Sequence, residues 1–249
     1  MFEIETRNMK IFAICIVGDL RTFGMQAIRD NMLVVQKKLN ADVFFDVKER
    51  VNDMMSTSQY RIQSFEGGKK CHYTTHDIQN MMLPFQPKDV VISNSTFCKN
   101  TESSQYEMLH RCFTKAMTLS YKYFIRLRPD FFISPSNYLH KQLFKCDFCS
   151  IMGTNADIFF VMNRKNMQEF LNHRDLLHPI CGGGCCLDYH PNLFKNARYI
   201  RIDGGLVRNS VAIRRTRGTT NLNRIVQNLP KNLFVCKGIP FSGKVVTSF

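Results

Sequence analysis

The chain opens with a strand, a loop and a helix in an order that commits it to a parallel sheet. Ile11–Val17 is a continuous apolar run of strand length, the pattern of a strand buried on both faces. Gly18-Asp19-Leu20-Arg21-Thr22-Phe23-Gly24 follows as a loop with two glycines, an acid and a base. Met25, Ile28, Met32, Val35 and Leu39 then recur at helical spacing, which predicts an amphipathic helix of about four turns. Asp42–Asp46 is a short second strand. Parallel neighbours cannot be joined by a hairpin and need a crossover, usually a helix. The opening is therefore a βαβ unit, and its first loop lies beside a helix N-terminus suited to anions. The loop lacks the full dinucleotide glycine fingerprint, so NAD and FAD gain little support.

The rhythm continues downstream. Lys88–Ser93 reads as a strand, and Ser103–Ser120 as a helix with Leu109, Cys112, Phe113, Ala116 and Leu119 on one stripe. That helix delivers the chain into a strand at Tyr123–Leu127. Ser134-Pro-Ser reads as a helix start with its proline inside the first turn. Asp157–Met162 is a further strand, a helix begins near Lys165, and Tyr199–Ile202 is a late strand. Residues 47–85 are polar and show no assignable period. The expectation is an α/β fold: a single Rossmann-like domain over residues 1–205, with a mainly parallel central sheet flanked by helices. Residues 206–249 are expected to form a basic C-terminal extension packed on that domain or appended to it.

Charge sets the extension apart. The 249 residues carry 34 basic and 20 acidic side chains, a formal charge of +14. No acidic residue follows Asp203, whereas Arg208, Arg214, Arg215, Arg217, Arg224, Lys231, Lys237 and Lys244 do. Removing those eight leaves residues 1–203 with 26 basic against 20 acidic residues, or +6. Such a tail suits nucleic acid, an anionic membrane surface or a phosphate-bearing substrate, and it equally suits a solvated face. Ile11–Val17 is far short of the ~20 apolar residues of a membrane span. The start, with Glu3 and Glu5, is unlike a signal peptide. A cytoplasmic protein is expected, its ten cysteines mostly buried thiols. The spacings Cys146-Asp-Phe-Cys149 and Cys181-Gly-Gly-Gly-Cys185-Cys186 are unlike paired zinc knuckles.

The segment Tyr123-Phe-Ile-Arg-Leu-Arg-Pro-Asp-Phe-Phe-Ile133 carries the chemistry. Pro129 cannot donate to a ladder, so the strand should stop there and present Asp130 at its carboxyl end. Ligands of open α/β sheets bind outside those ends. Arg126, Arg128 and Asp130 would suit a phosphorylated ligand with a divalent cation, or form a structural ion pair. Further along, Asp188 and His190 follow the glycine run Gly182–Gly184, and together with Asp157 they are the candidates for acid–base work. His110, on the stripe with Leu109 and Phe113, reads as packing.

Three motifs occur in one order: Ile16-Val-Gly-Asp-Leu-Arg-Thr-Phe23, the run Gln105–Phe113, and Arg126-Leu-Arg-Pro-Asp130. In this the chain resembles nucleotide-sugar-dependent glycosyltransferases of large algal viruses and bacterial polysaccharide clusters that carry an Arg-x-Arg-Pro-Asp motif. That group is similar to GT-A enzymes, and the resemblance covers roughly residues 10–205. It implies a nucleotide-sugar donor, a glycan or glycoprotein acceptor, and Mn²⁺ or Mg²⁺ as cofactor. It places Gly18, Asp19 and Arg21 of the first loop near the nucleotide, and Arg126, Arg128 and Asp130 near its diphosphate, with Asp130 as metal ligand. The chain departs from the Asp-x-Asp pattern because Arg128 stands at the first position, so arginines are the alternative to a metal. Two other functions stay open: a catalytically inactive nucleotide-sugar or glycan binding module, and a basic nucleic-acid-binding protein. The latter has only Phe234, Phe241 and Phe249 to interleave with the basic tail.

Overall fold

A computed structural model describes residues 10–20, 23–24, 26–48, 74–93, 101–133, 139–150, 159–172, 198–199, 204–208 and 212–215. The elements come in the order β1 (Phe12–Asp19), α1 (Gln26–Leu39), β2 (Asp42–Lys48), α2 (Thr75–Met82), β3 (Asp89–Ser93), α3 (Thr101–Met117) and β4 (Tyr123–Leu127). They continue with β5 (Phe131–Ile133), α4 (Leu139–Phe144), β6 (Phe148–Ser150), β7 (Phe159–Asn163), α5 (Arg164–Asn172), β8 (Arg198–Tyr199), β9 (Gly204–Arg208) and β10 (Ala212–Arg215).

Seven strands form one sheet in the order β3-β2-β1-β4-β7-β6-β8. β3, β2, β1 and β4 are mutually parallel, β7 runs against them, and β6 and β8 return to the common direction. The fold is thus α/β and Rossmann-like, with Ile11–Val17, Asp42–Asp46 and Tyr123–Leu127 as neighbouring strands, as their continuous apolar runs predict. β1 is central and apolar on both sides. Phe12, Ile14 and Ile16 join a core with α1, α2 and α4, while Ala13, Cys15 and Val17 join a second core with α3 and α5. Side chains alternate along a strand, so a strand covered on both faces cannot spare an apolar position.

Two local differences from the expected elements have plain causes. α2 falls in the stretch without a period, and its start is written as a capping box. Thr74 Oγ1 accepts from the Asp77 backbone N–H, and the Asp77 carboxylate accepts from the Thr74 N–H. α3 ends at Met117 and leaves Leu119 42% exposed. Its last turn is closed instead by Arg164, which donates to the carbonyls of Met117, Leu119 and Tyr121. The thiol expectation is corrected for four cysteines, and the other six lie outside the described residues. Disulfides join Cys15 of β1 to Cys112 of α3, and Cys146 to Cys149. Partners 97 positions apart in sequence become neighbours only when α3 lies on β1.

A second, three-stranded sheet runs β10-β9-β5. β9 spans the 205/206 division, so the start of the basic extension is hydrogen-bonded to the strand that follows Asp130. No described helix is long and apolar enough to cross a membrane.

Candidate functional site

The strand order places the site. From β1 the chain moves outward to β2 and β3, then returns to the other side of β1 as β4. The crossover helix α1 packs on one face and α3 on the other. Crevices at such reversals, outside the carboxyl ends of the strands, are where α/β sheets bind ligands. Here the two ends are Gly18-Asp19 and Arg128-Pro129-Asp130. They lie close together: a Cβ added to Gly18 would come within 3.8 Å of Pro129 Cδ. That is ordinary contact, so space is not what selects glycine. Its φ of +127° is, because side-chain-bearing residues rarely adopt it.

Beyond Gly18 the first loop is held by its apolar residues. Leu20 and Phe23 are fully buried, and Phe23 lies against Phe45 and Phe85. Phe23 N–H donates to the Leu20 carbonyl at 2.6 Å, and Arg29 donates to the carbonyls of Phe23 and Gly24. Arg21, the Asp19 side chain, Asp157, Asp188 and His190 lie outside the described residues.

The second arm is more deeply placed than a strand end suggests. Arg128 is 6% exposed and Asp130 0%. Arg128 Nε donates to Asp130 Oδ1 at 2.9 Å and Nη2 to Oδ2 at 2.8 Å, a forked contact across one proline. The turn is closed by Phe131 N–H donating to the Arg128 carbonyl. Arg126 is 1% exposed and stands level with Cys15 and Phe160, on the face covered by α3 and α5. It is a core arginine below the site, whereas sequence placed it beside a phosphate. Strand alternation explains this, since Arg126 shares the parity of the buried Phe124.

Each Asp130 oxygen accepts one bond from Arg128 and keeps a second lone pair, so a cation there would share the carboxylate with the guanidinium. Among the described residues no group of three or more His, Cys, Asp or Glu could hold a metal ion.

Two features were not legible beforehand. Asn31 of α1 is buried and faces β5. Its Nδ2 donates to the Ile133 carbonyl at 2.6 Å, and its Oδ1 accepts from the Ile133 N–H at 2.9 Å. With β9 on its other edge, β5 is thus fixed on both sides, by a strand and by one amide. The second feature is Asp46 of β2, level with Val17. It accepts from Arg111 Nε and Nη2, both at 2.6 Å, with its own side chain 1% exposed. Burial pushes its pKa up to about 6 despite Arg111, and the charge of Asp89 adds to the rise. At the opposite edge, Tyr121 donates to Asp42 at 2.6 Å and Lys10 pairs with the same carboxylate. Burial and that carboxylate push the Tyr121 phenol pKa up. His110 bonds the Leu171 carbonyl and ties α3 to α5, in keeping with packing.

No family model and no curated protein matches the chain. Among solved structures, HddC from Yersinia pseudotuberculosis complexed with GMP-PN is similar at 10% identity and a TM-score of 0.37. The match covers 73% of this chain and 86% of that one. A likeness of that size is no guide to function.

Proposed function

We propose that this protein is a nucleotide-sugar-dependent glycosyltransferase of GT-A-like type, moving a sugar from a nucleoside diphosphate to a hydroxyl of a glycan or glycoprotein. The observation that supports the reading is the proximity of Gly18 and Pro129 at the sheet reversal, which sets the first loop beside the Arg128–Asp130 turn. A diphosphate there would meet cations from both arms, Arg21 from the loop and Arg128 from the turn. Stabilising the leaving phosphate charge is the main electrostatic demand of such a transfer. Asp130 holds the Arg128 fork by two charge-assisted bonds. Asp130 is then the residue that orients Arg128, and no step is routed through a metal. The proton of the acceptor hydroxyl falls to Asp188, His190 or Asp157.

The Arg128–Asp130 lock also favours a second reading, a binding module without catalysis, since it engages the one carboxylate of the motif with a guanidinium. A screen of nucleotide sugars separates the two readings, with donor hydrolysis measured in Mn²⁺ and in chelator and binding followed by thermal shift. The transferase reading expects hydrolysis of at least one donor that persists in chelator. Binding without turnover would favour the module. Neither binding nor turnover with any donor would end both.

A further inference from the structure

The amino ends of the parallel strands form an edge opposite the candidate site, and α1 and α3 both end there as they deliver the chain to a strand. Around β1 and β4, the turn after α3 leaves Leu119 42% exposed, with exposed Lys10, Lys115, Lys122 and Lys165 about it. Backbone bonds hold this group together. Lys122 N–H donates to the Ile11 carbonyl, Thr118 N–H to that of Lys115, and Arg164 to that of Leu119. Around β2 and β3, the helical turn Leu83–Phe85 leaves Leu83 67% exposed. Exposed Lys37 and Lys38, in the last turn of α1, and exposed Lys88, before β3, adjoin it. Gln36 ties that turn to α1 through the Phe85 carbonyl, and Lys88 N–H donates to the Val43 carbonyl. β3, β2, β1 and β4 are adjacent, which sets the two groups roughly 14 Å apart along one edge. Few described carboxylates oppose these lysines. Lys145 and Asp147 offset one another before β6. Asp89 is half-buried, and Asp42 is 7% exposed and already accepts from Tyr121 and Lys10.

We propose that this amino edge is a docking surface for an anionic membrane, its lysines meeting the headgroups while Leu83 and Leu119 enter the boundary with the acyl chains. A lysine is drawn to an anionic leaflet without a shaped partner, and an exposed leucine gains by leaving water. Basic and apolar side chains interleaved on one surface are the pattern of an interfacial contact. Nucleic acid is the poorer match, because among the described side chains no aromatic one is exposed to stack on bases. Docked by this edge, the sheet holds the candidate site on the side away from the membrane. With eight residues in β1, that distance is roughly 25 Å.

The test is sedimentation of the full chain with phosphatidylcholine vesicles, with and without about 30% phosphatidylserine. Wild type should bind the anionic vesicles and leave the neutral ones, and the binding should fade as salt is raised. Lys115→Gln with Lys122→Gln, and Lys37→Gln with Lys88→Gln, should each weaken binding at least about 5-fold, near the effect of one lysine at an anionic surface. Leu83→Ser should weaken it about 3-fold or more, a loss that a purely electrostatic partner does not produce. These side chains are exposed, so the variants should melt with wild type, and either lysine pair tests the surface if the other fails to fold. No binding of anionic vesicles by wild type, or equal binding of neutral ones, overturns the proposal. Wild-type affinity in both lysine pairs overturns it too, and would move the contact to the basic extension. Edge variants that keep vesicle binding but lose a single-stranded oligonucleotide would make the edge a nucleic-acid surface instead. Each of these outcomes is read without turnover and stands apart from the transferase reading.

Discussion

Replacing Asn31 by alanine should loosen the strand behind the site more than any other surface-distant change. The substitution removes both bonds to Ile133, at 2.6 and 2.9 Å, and leaves a buried N–H and a buried carbonyl without their partner. An orphaned buried group costs about 1–3 kcal/mol, so two set a range of about 2–6 kcal/mol. The alanine leaves room for a water that restores part of one bond, which puts the expectation near 3 kcal/mol. For a chain of this size that is a fall in Tm of roughly 6–12 °C. Urea denaturation gives the energy, and amide exchange locates it, because the Ile133 N–H is the group that Asn31 protects. Exchange there should accelerate in step with the lost stability, while Ile14 and Ile125 in the central sheet should follow only global unfolding. Asn31→Asp supplies the control. Its carboxylate still accepts from the Ile133 N–H but faces the Ile133 carbonyl with a second oxygen, so it should be unstable at neutral pH. A protonated carboxyl can donate again, so that variant should regain stability as pH falls. A loss below about 0.5 kcal/mol in Asn31→Ala, or unchanged exchange at Ile133, would refute the two-sided fixing of β5.

Asp130→Asn sets an amide N–H₂ against the Arg128 fork and should cost about 3–5 kcal/mol, as does breaking a buried ion pair. Donor hydrolysis, read per folded molecule, should fall at least about 10-fold, and more for Arg128→Lys if the fork also serves the phosphate. Unchanged melting in Asp130→Asn would mean that the pair is not buried in solution. Asp46, raised to about 6, binds its proton more readily in the folded state than in the unfolded one. Stability should therefore fall as pH rises from about 4 to about 6, by about 3 kcal/mol in total for a shift near two units. Asp46→Asn should flatten that slope, and a slope that survives it would place the titration elsewhere. Cys15 and Cys112 enclose a loop of nearly a hundred residues, so Cys112→Ser should remove up to about 4–5 kcal/mol of chain-entropy stabilisation. Labelling of the denatured, unreduced protein should leave all four paired cysteines unmodified, and label on Cys15 or Cys112 would restore the free-thiol expectation.

The parallel half of the fold was legible because both of its signals are local. A strand buried on two faces must be apolar at every position, as Ile11–Val17 is, and the helix after it must carry a stripe, as Ile28, Met32, Val35 and Leu39 do. α2 carried a local signal too, the Thr74–Asp77 box, masked by the polar stretch before it. The turn at Pro129 could likewise be read, since a residue without an N–H stops a ladder. What happens at that turn could not. That Arg126 lies under α3, and that Arg128 spends two donors on Asp130, depends on strand parity and on the depth to which β5 buries the turn. The Asn31 clamp joins residues 102 positions apart, and the Asp46–Arg111 bridge joins residues 65 apart. No spacing in the chain encodes such pairs. By itself the sequence determined where backbone alternation and helical period must fall, because those are properties of neighbouring residues. Only the tertiary structure decided which charges face one another, because that follows from which strand lies beside which, and the return of β4 to β1 is made by the whole sheet.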